Sequence, residues 1–103
     1  MSDTITLRMK EHFDSPILTD GDKAMLFRIT EVEPALSLGN SIIFDFSGVR
    51  NMTDSFTNAC FVQLFFTHRE MLGSRIQFKG CSPIIQHFVL SALALADSMA
   101  RAH

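Results

Sequence analysis

The sequence predicts one α/β domain, with a small, mainly parallel β-sheet and helices packed against it in the order β-α-β-α-β-α. The first observation is that the apolar period switches repeatedly between the alternation of a strand and the spacing of a helix. The second is size: 103 residues, 47% hydrophobic and 19% charged, are enough to bury one core. We therefore expect residues 1–103 to be a single domain.

The first strand and the first helix are predicted within residues 4–40. Polar residues alternate with Ile5 and Leu7 over residues 4–8, as in a half-buried strand, and residues 14–16 have turn chemistry. Thr19 or Asp20 can cap a helix. Pro34 should stop or kink that helix near residues 30–32, because proline cannot donate to the preceding turn. The expected apolar stripe of this helix is Met25, Ile29, Val32 and Leu36.

A central strand and a middle helix follow. Residues 41–46 are an almost continuous apolar run between turn residues, which is typical of a strand buried on both faces of a parallel sheet. The next helix should begin at residues 53–55 and run to about Leu72, with Gly73 at its C′ position. Its large apolar side chains project around most of its circumference, so one face is either buried in the core or forms an exposed patch for a partner or for a second copy of the chain. These side chains are Phe56, Phe61, Val62, Leu64, Phe65 and Phe66.

The last strand and the last helix lie within residues 75–103. Residues 75–79 alternate, with Ile76 and Phe78 on one face, and Gly80 ends the strand. Ser82 can cap the helix that Pro83 begins. The half of that helix expected to face the core contains Ile84, Ile85, Phe88, Val89, Ala92, Leu95, Ala96 and Met99.

Composition excludes several classes of function. The net charge is −2 with charges of both signs mixed along the chain, so we expect no nucleic-acid partner. We find no run near 18 to 20 apolar residues and no leader at residues 1–4, so we expect a cytoplasmic protein without direct membrane insertion. The ten phenylalanines, without Trp or Tyr, indicate packing rather than polar recognition.

Signatures of catalysis and of cofactor binding are missing from the sequence. Cys60 and Cys81 lack metal-ligand spacing and are expected to be reduced, small buried residues. The histidines at positions 12, 68, 87 and 103 share no ligand motif. No nucleophile elbow and no glycine-rich phosphate loop is present. We therefore expect no catalytic residue, no metal and no cofactor.

Polar residues collect where the central strand ends and the middle helix begins. The carboxyl edge of a parallel sheet is its usual functional end. A phosphate on Ser55, in the first helical turn, would be favoured by the helix dipole and opposed by the neighbouring Asp54. The alternative, which the spacing by itself favours, is that Thr53 or Asp54 only caps the helix.

These residues resemble a known family. The segment IIFDFSGV at residues 42–49, followed by MTDSF at residues 52–56, resembles the central strand and switch loop of STAS domains, the anti-sigma-factor-antagonist fold. The resemblance is closest to an uncharacterised STAS-like branch. It continues through residues 73–93, which contain Gly73 and then a strand. After the strand, Ser82-Pro83, Phe88 and SAL at residues 91–93 are similar to the last helix of the antagonists.

The resemblance implies partner switching. A kinase-like ATPase or anti-sigma-like regulator would bind the loop and helix start, and phosphorylation of Ser55 would break the complex. In the antagonists the loop reads DSSG or DSTG, whereas this chain has TDSF. The residues expected to contact the partner are Asp45, Ser47, Gly48, Thr53, Asp54, Ser55, Phe56 and Thr57.

Two other functions remain open. The domain could be a constitutive STAS-type assembly subunit of a larger complex, for example a transport complex, without phosphorylation. It could also be a small enzyme or ligand-binding protein with a flavodoxin-like fold, which would require a deep polar pocket. A weak homodimer is compatible with the first function.

Overall fold

The computed structural model describes residues 3–102, so Met1, Ser2 and His103 lie outside the described residues. Five strands and six α-helices are present in this part of the chain, together with two π-helical segments and one 3₁₀ turn. The strands are β1 (Thr4–Arg8), β2 (Ile17–Leu18), β3 (Ser41–Asp45), β4 (Asn51–Met52) and β5 (Ile76–Lys79). The α-helices are α1 (Met9–Phe13), α2 (Gly21–Phe27), α3 (Glu33–Ser37), α4 (Asp54–Thr57), α5 (Gln63–Thr67) and α6 (Pro83–Arg101). The π segments are Arg28–Val32 and Asn58–Val62, and the 3₁₀ turn is Arg69–Met71.

The main sheet has three parallel strands in the order β1-β3-β5, which confirms the predicted α/β class. Its register places Leu7 beside Phe44 and Phe44 beside Phe78, so one face of the sheet is apolar. The other face carries Thr6 and Gln77, which are exposed, and Ile43, which is half-buried. The expectation that the central strand is buried on both faces was therefore wrong. The domain has two layers, because one sheet face remains open.

The first long helix runs through α2, a π segment and α3. Asp20 caps it, since the carboxylate of Asp20 accepts hydrogen bonds from the N–H groups of Asp22 and Lys23. The helix does not stop near Pro34. Instead the chain widens into the π segment just before this proline, which relieves the clash between its ring and the preceding turn.

The π segment also shifts the apolar stripe. In the expected stripe Val32 and Leu36 are buried, but Met25 and Ile29 are 45% and 49% exposed, so their assignment to the core was wrong. The spacing from Phe27 to Val32 is five residues, which matches a π turn and not an α turn. The side chains that face the core are Ala24, Phe27, Val32, Ala35 and Leu36.

The middle helix, made of α4, a π segment and α5, lies in the core. Phe61 is fully buried and its ring packs edge to face on Phe44, at 5.2 Å between centroids. Phe65 and Phe78 join the same aromatic cluster. The apolar surplus of this helix is thus buried, apart from the half-buried Phe66. The expected end near Leu72 was wrong: the helix ends at Thr67, and Gly73, at φ +81°, belongs to the turn that leads into β5.

Three short elements were not predicted: α1, β2 and β4. Helix α1 continues directly from β1 and ends at Phe13, and its C-cap residue Asp14 has left-handed backbone geometry. Strand β2 pairs in parallel with β4, forming a second sheet of two residues a strand. This small sheet connects the start of the first long helix to the start of the middle helix.

Helix α6 covers the domain with a narrow buried side. Only Ile85, Ala92 and Ala96 are fully buried among its described residues. Ile84 and Leu95, expected on the inner half, are 42% and 45% exposed because they lie at its edge. The helix is 19 residues long and contains an 18-residue stretch with a mean hydropathy of 1.3, sufficient by length and composition alone to cross a membrane. The sequence analysis expected no segment of this length and hydropathy. A core helix of a soluble protein can also meet these two criteria of length and composition.

Candidate functional site

The residues expected to contact a partner form two groups at the carboxyl end of β3. The first group is the strand-end turn, which we define as Asp45, Ser47 and Gly48. Its backbone closes through a hydrogen bond from the N–H of Val49 to the carbonyl of Phe46, at 2.9 Å. Gly48 has φ +80°, a backbone conformation that favours glycine. The local sequence therefore dictates this turn.

Asp45 is the charged group of the strand-end turn. Its carboxylate accepts a hydrogen bond from the Ser47 N–H at 2.9 Å, and Lys79 Nζ lies 3.9 Å away. Hydrogen bonds from the Ser47 hydroxyl and N–H, helped by the charges of Lys79 and Arg8, lower the pKa of Asp45. Asp45 is therefore ionised and holds the turn in one conformation, and its side chain is only 12% exposed.

Two residues that sequence reasoning did not assign to the site support this turn. A Cβ atom on Gly80 would come within 2.8 Å of the Ser47 nitrogen and 3.0 Å of Asp45 Oδ1, so no larger residue fits there. A Cβ atom on Gly48 would come within 2.8 Å of Lys10 Cδ. Gly80 had a sequence signal, as the residue that ends the last predicted strand. Lys10 had none, because α1 was not predicted.

The second group is the helix start, where Thr53 is the N-cap. Its hydroxyl accepts a hydrogen bond from the Phe56 N–H at 3.2 Å and donates one to the carbonyl of Thr19 at 3.1 Å. The N–H of Thr53 also donates to the carbonyl of Leu18, at 3.0 Å. Thr53 is thus held from both sides, and its role as the cap matches the simpler of the two interpretations of this segment.

Ser55 is the second residue of α4 and is exposed, as is Asp54 beside it. A Cβ atom on Gly21 would come within 2.6 Å of Ser55 Oγ, so the Ser55 side chain packs directly on the first residue of α2. Two helices therefore begin side by side at this point. We call the exposed Asp54 and Ser55, together with Gly21, the helix-start surface.

Phe56 and Thr57 do not belong to any surface. They are 1% and 3% exposed, which corrects their assignment as partner-contacting residues. The ring of Phe56 packs edge to face on Phe13, at 5.0 Å between centroids. The Thr57 hydroxyl donates to the carbonyl of Thr53, at 2.8 Å. Both residues fix the helix start from inside.

The flank of α2 adds apolar residues to the helix-start surface. Gly21 contacts Ser55. About two turns later on the same side of the helix, Arg28 Nε donates a hydrogen bond to the carbonyl of Ala59 at 2.9 Å. Met25 lies between Gly21 and Arg28 at helical spacing, so it shares their flank. Ile29 follows one turn later. Sequence reasoning placed both apolar residues in the core, and only the π segment explains why they are exposed.

The strand-end turn and the helix-start surface are separated by β4. The N–H of Arg50 donates to the carbonyl of Pro16 at 2.7 Å, which ties the intervening chain to β2. A broad groove of about 770 Å³ opens on the side of the strand-end turn and contains Lys10, Gly48, Arg50 and Ser82. The predicted surface therefore consists of two parts on either side of the small sheet.

The cysteines and histidines play structural parts in the described chain. Burial raises the pKa of the Cys60 thiol, and burial together with the charge of Asp45 raises the pKa of Cys81. His12 packs on Phe27, and His68 Nε2 lies 3.6 Å from Glu33 Oε1. Within residues 3–102 no three His, Cys, Asp or Glu side chains are grouped to hold a metal ion.

Comparison with known proteins gives one match. Residues 27–86, more than half of the 103 residues, match the family described as STAS-like domain of unknown function (DUF4325). The comparisons with curated proteins and with solved structures gave no match. The matched segment includes β3, the strand-end turn, the whole middle helix, β5 and the first turn of α6. Since the resemblance in sequence, the parallel sheet and the family match agree, this chain belongs to the STAS-like domain family.

Proposed function

We propose that this domain is a non-catalytic, protein-binding regulatory module, and that its partner docks on the helix-start surface and the neighbouring flank of α2. The observation that carries the proposal is the position of Ser55. It is exposed in the first turn of the middle helix and packed on Gly21, which begins the helix whose exposed side contains Met25 and Ile29.

This combination suits protein recognition. Partner surfaces commonly have an apolar centre with a polar rim. Met25 and Ile29, 45% and 49% exposed, supply apolar area on one side of the helix-start surface. Asp54 and Ser55 supply the polar rim. The strand-end turn, which is rigid and close to the groove at Lys10, offers a second contact.

The proposed partner class rests on the resemblance of residues 42–56 to the switch loop of the antagonists and on the chemistry of Ser55. Resemblance to the anti-sigma-factor antagonists favours a kinase-like ATPase or an anti-sigma-like regulator. A phosphate on Ser55 would add a charge of about −2 beside Asp54 and Asp22. Desolvating that charge in an interface would cost several kcal/mol, on the order of what a switch requires. Phosphorylation would then release the partner, in a cytoplasmic circuit without nucleic acid.

A second function is favoured by the surroundings of Ser55. Its hydroxyl oxygen lies against Gly21, where an added atom would meet it at 2.6 Å. Asp54 is adjacent to Ser55 in sequence, and Asp22 is adjacent to Gly21. Close packing and like charges oppose a phosphate at this position. A constitutive assembly subunit would use the same surface to hold a larger protein permanently, and it would need no modification.

The experiment that tests both functions is affinity capture from native cell extract, with captured proteins identified by mass spectrometry. The baits are the wild type, Ser55→Asp and Ser91→Asp. Ser91 is an exposed serine on α6, so Ser91→Asp controls for an added charge away from the surface. Circular dichroism of each variant establishes that it is folded.

The outcomes separate the alternatives. A kinase-like ATPase captured by the wild type and Ser91→Asp but lost with Ser55→Asp supports the phosphorylation switch. The same partner on all three baits contradicts the switch and supports the assembly subunit. A further bait, Met25→Glu, should lose the partner under either function, whereas Leu38→Glu, at a residue 80% exposed on another part of the surface, should keep it.

A further inference from the structure

The outer side of α6 has a regular pattern that the proposed function does not use. Gln86, Leu90, Leu93 and Asp97 follow one another at intervals of four, three and four residues. This is the spacing of the a and d positions of a heptad seam. Leu90 is 62% exposed and Leu93 is 38% exposed, so the two leucines of the seam are in contact with solvent.

A groove lies directly beside this seam. It has a volume of about 470 Å³ and opens where β5, an edge strand of the sheet order β1-β3-β5, runs next to α6. Besides Leu90 and Leu93, its lining includes the apolar residues Phe65, Leu72, Ile76, Phe78 and Val89. A protruding leucine and an apolar groove that can receive one are thus neighbours on the same surface.

The arrangement of the seam is symmetric. Leu90 and Leu93 are centred between residues 91 and 92, and so are Gln86 and Asp97. If a second copy of α6 lies antiparallel across the seam, a two-fold axis at this centre brings Leu90 against Leu93 of the other copy. The same axis brings Gln86 against Asp97 of the other copy. In antiparallel pairs each a position meets a d position, as this alignment requires.

Charge and hydrogen bonding fit the same alignment. The side chains of the seam between Gln86 and Asp97 are uncharged, so pairing buries no charge at its centre. Gln86 Nε2 donates to the carbonyl of Cys81 at 3.1 Å, and its amide has a second N–H to offer. The carboxylate of Asp97 accepts from Arg69 and Arg101 at the rim. An amide donor on one copy therefore meets a carboxylate acceptor on the other, at both ends of the seam.

From this geometry we propose that the seam Gln86-Leu90-Leu93-Asp97 is a homodimer interface, in which two α6 helices pack antiparallel and Leu90 of each copy enters the groove of the other. The occupant is a second copy, because the polar and apolar positions of one copy are matched about a common centre. An unrelated partner would not need that symmetry. With two leucine layers, the dimer is weak and lies at the small end of the range of interface sizes.

The test is sedimentation equilibrium of the full chain from about 10 μM to 1 mM, a range typical of weak association. The wild type should show a reversible monomer–dimer equilibrium. Leu90→Lys should weaken dimerisation at least tenfold, because it puts a charge in each apolar layer. Leu38→Lys, at an exposed leucine outside the seam, should leave the dissociation constant unchanged.

Substitutions at Gln86 test the antiparallel alignment. In low salt, Gln86→Lys and Gln86→Glu should change the dissociation constant in opposite directions, because position 86 meets the charged group formed by Asp97, Arg69 and Arg101 of the other copy. A wild type that stays monomeric at 1 mM overturns the proposal. So does a dimer that is insensitive to Leu90→Lys, or one whose affinity changes equally with Gln86→Lys and Gln86→Glu.

The test is independent of the proposed function. Leu90→Lys should still capture the partner that Ser55→Asp or Met25→Glu loses, since the seam and the helix-start surface are on different elements. If the wild type is monomeric and a captured protein is lost with Leu90→Lys, the homodimer proposal is overturned. The seam is then the binding surface for that captured protein.

Discussion

The middle helix and α6 are both rich in large apolar residues, yet they use them in opposite ways. In the middle helix Phe56, Phe61, Leu64 and Phe65 are all at most 1% exposed, because the sheet, α2 and α6 surround it. Helix α6 is packed on one side only, and Leu90, Leu93 and Leu95 are 38% to 62% exposed. The difference teaches that apolar content by itself does not identify an interface. The number of elements that pack around a helix decides whether its apolar side chains are buried or exposed.

The largest expected effect concerns the core of the middle helix. Phe61→Ala should lower the free energy of unfolding by about 3 to 5 kcal/mol, because it leaves a cavity among Phe44, Phe65 and Phe78. Leu95→Ala, on the exposed side of α6, should cost less than about 1 kcal/mol. Urea denaturation followed by circular dichroism measures both. Equal losses would contradict the contrast between the two helices.

If Phe61→Ala does not fold, Phe61→Leu keeps the comparison measurable. Leucine retains most of the apolar volume, so the loss should be smaller, on the order of 1 to 2 kcal/mol, and still exceed that of Leu95→Ala. A Phe61→Leu protein as stable as the wild type would show that the aromatic cluster contributes little.

An intermediate effect is expected at the two helix caps. Thr53 caps the middle helix and also bonds to the carbonyl of Thr19 at 3.1 Å, whereas Ser82 accepts a single, long bond of 3.4 Å from the Ile85 N–H. Thr53→Ala should therefore lower the free energy of unfolding by about 1 to 2 kcal/mol, and Ser82→Ala should lower it by about 0.5 to 1 kcal/mol. Denaturant midpoints of the two variants give the comparison. A larger loss from Ser82→Ala would contradict it.

The smallest expected effect is a dependence on pH at the strand-end turn. The folded-state pKa of Asp45 is lowered, chiefly by hydrogen bonds from Ser47, so the ionised carboxylate stabilises the fold above its unfolded value of 3.8. This stabilisation decreases below pH 3.8 and is lost as the pH falls through the lower pKa of the folded state. Asp45→Asn should be less stable than the wild type at pH 7, and the difference should shrink at pH 3. Urea midpoints that differ equally at both pH values would contradict this role.

Much of the fold could be predicted because strong local patterns coincide with it. The alternation of Ile5 with Leu7, the apolar run at residues 41–46 and the Ser82-Pro83 helix start each have one low-energy interpretation. They predicted β1, β3 and the start of α6, and the alternation of Ile76 with Phe78 predicted β5. The family resemblance at residues 42–56 was confirmed, since residues 27–86 match the STAS-like family. The motif could be identified because the turn and the cap depend on local residues.

Other features lay beyond local patterns. Strand β2 is two residues long, and its pairing with β4 depends on tertiary contacts. The π segment at residues 28–32 adds one residue to a helical turn, so any count at α-helical spacing places Met25 and Ile29 in the core. The same error hid the apolar flank beside Ser55. Conversely, the burial of Phe56 depends on its packing against Phe13, a contact that is distant in sequence.

The central claim is that a protein partner covers the helix-start surface. Its most direct test is site-specific photo-crosslinking in living cells, with a photoreactive amino acid at position 55 and, as a control, at position 6 on the exposed face of the sheet. The account predicts a crosslinked product with a second, different protein at position 55 and none at position 6. Crosslinks to the same protein at both positions, or at position 6 alone, would contradict it.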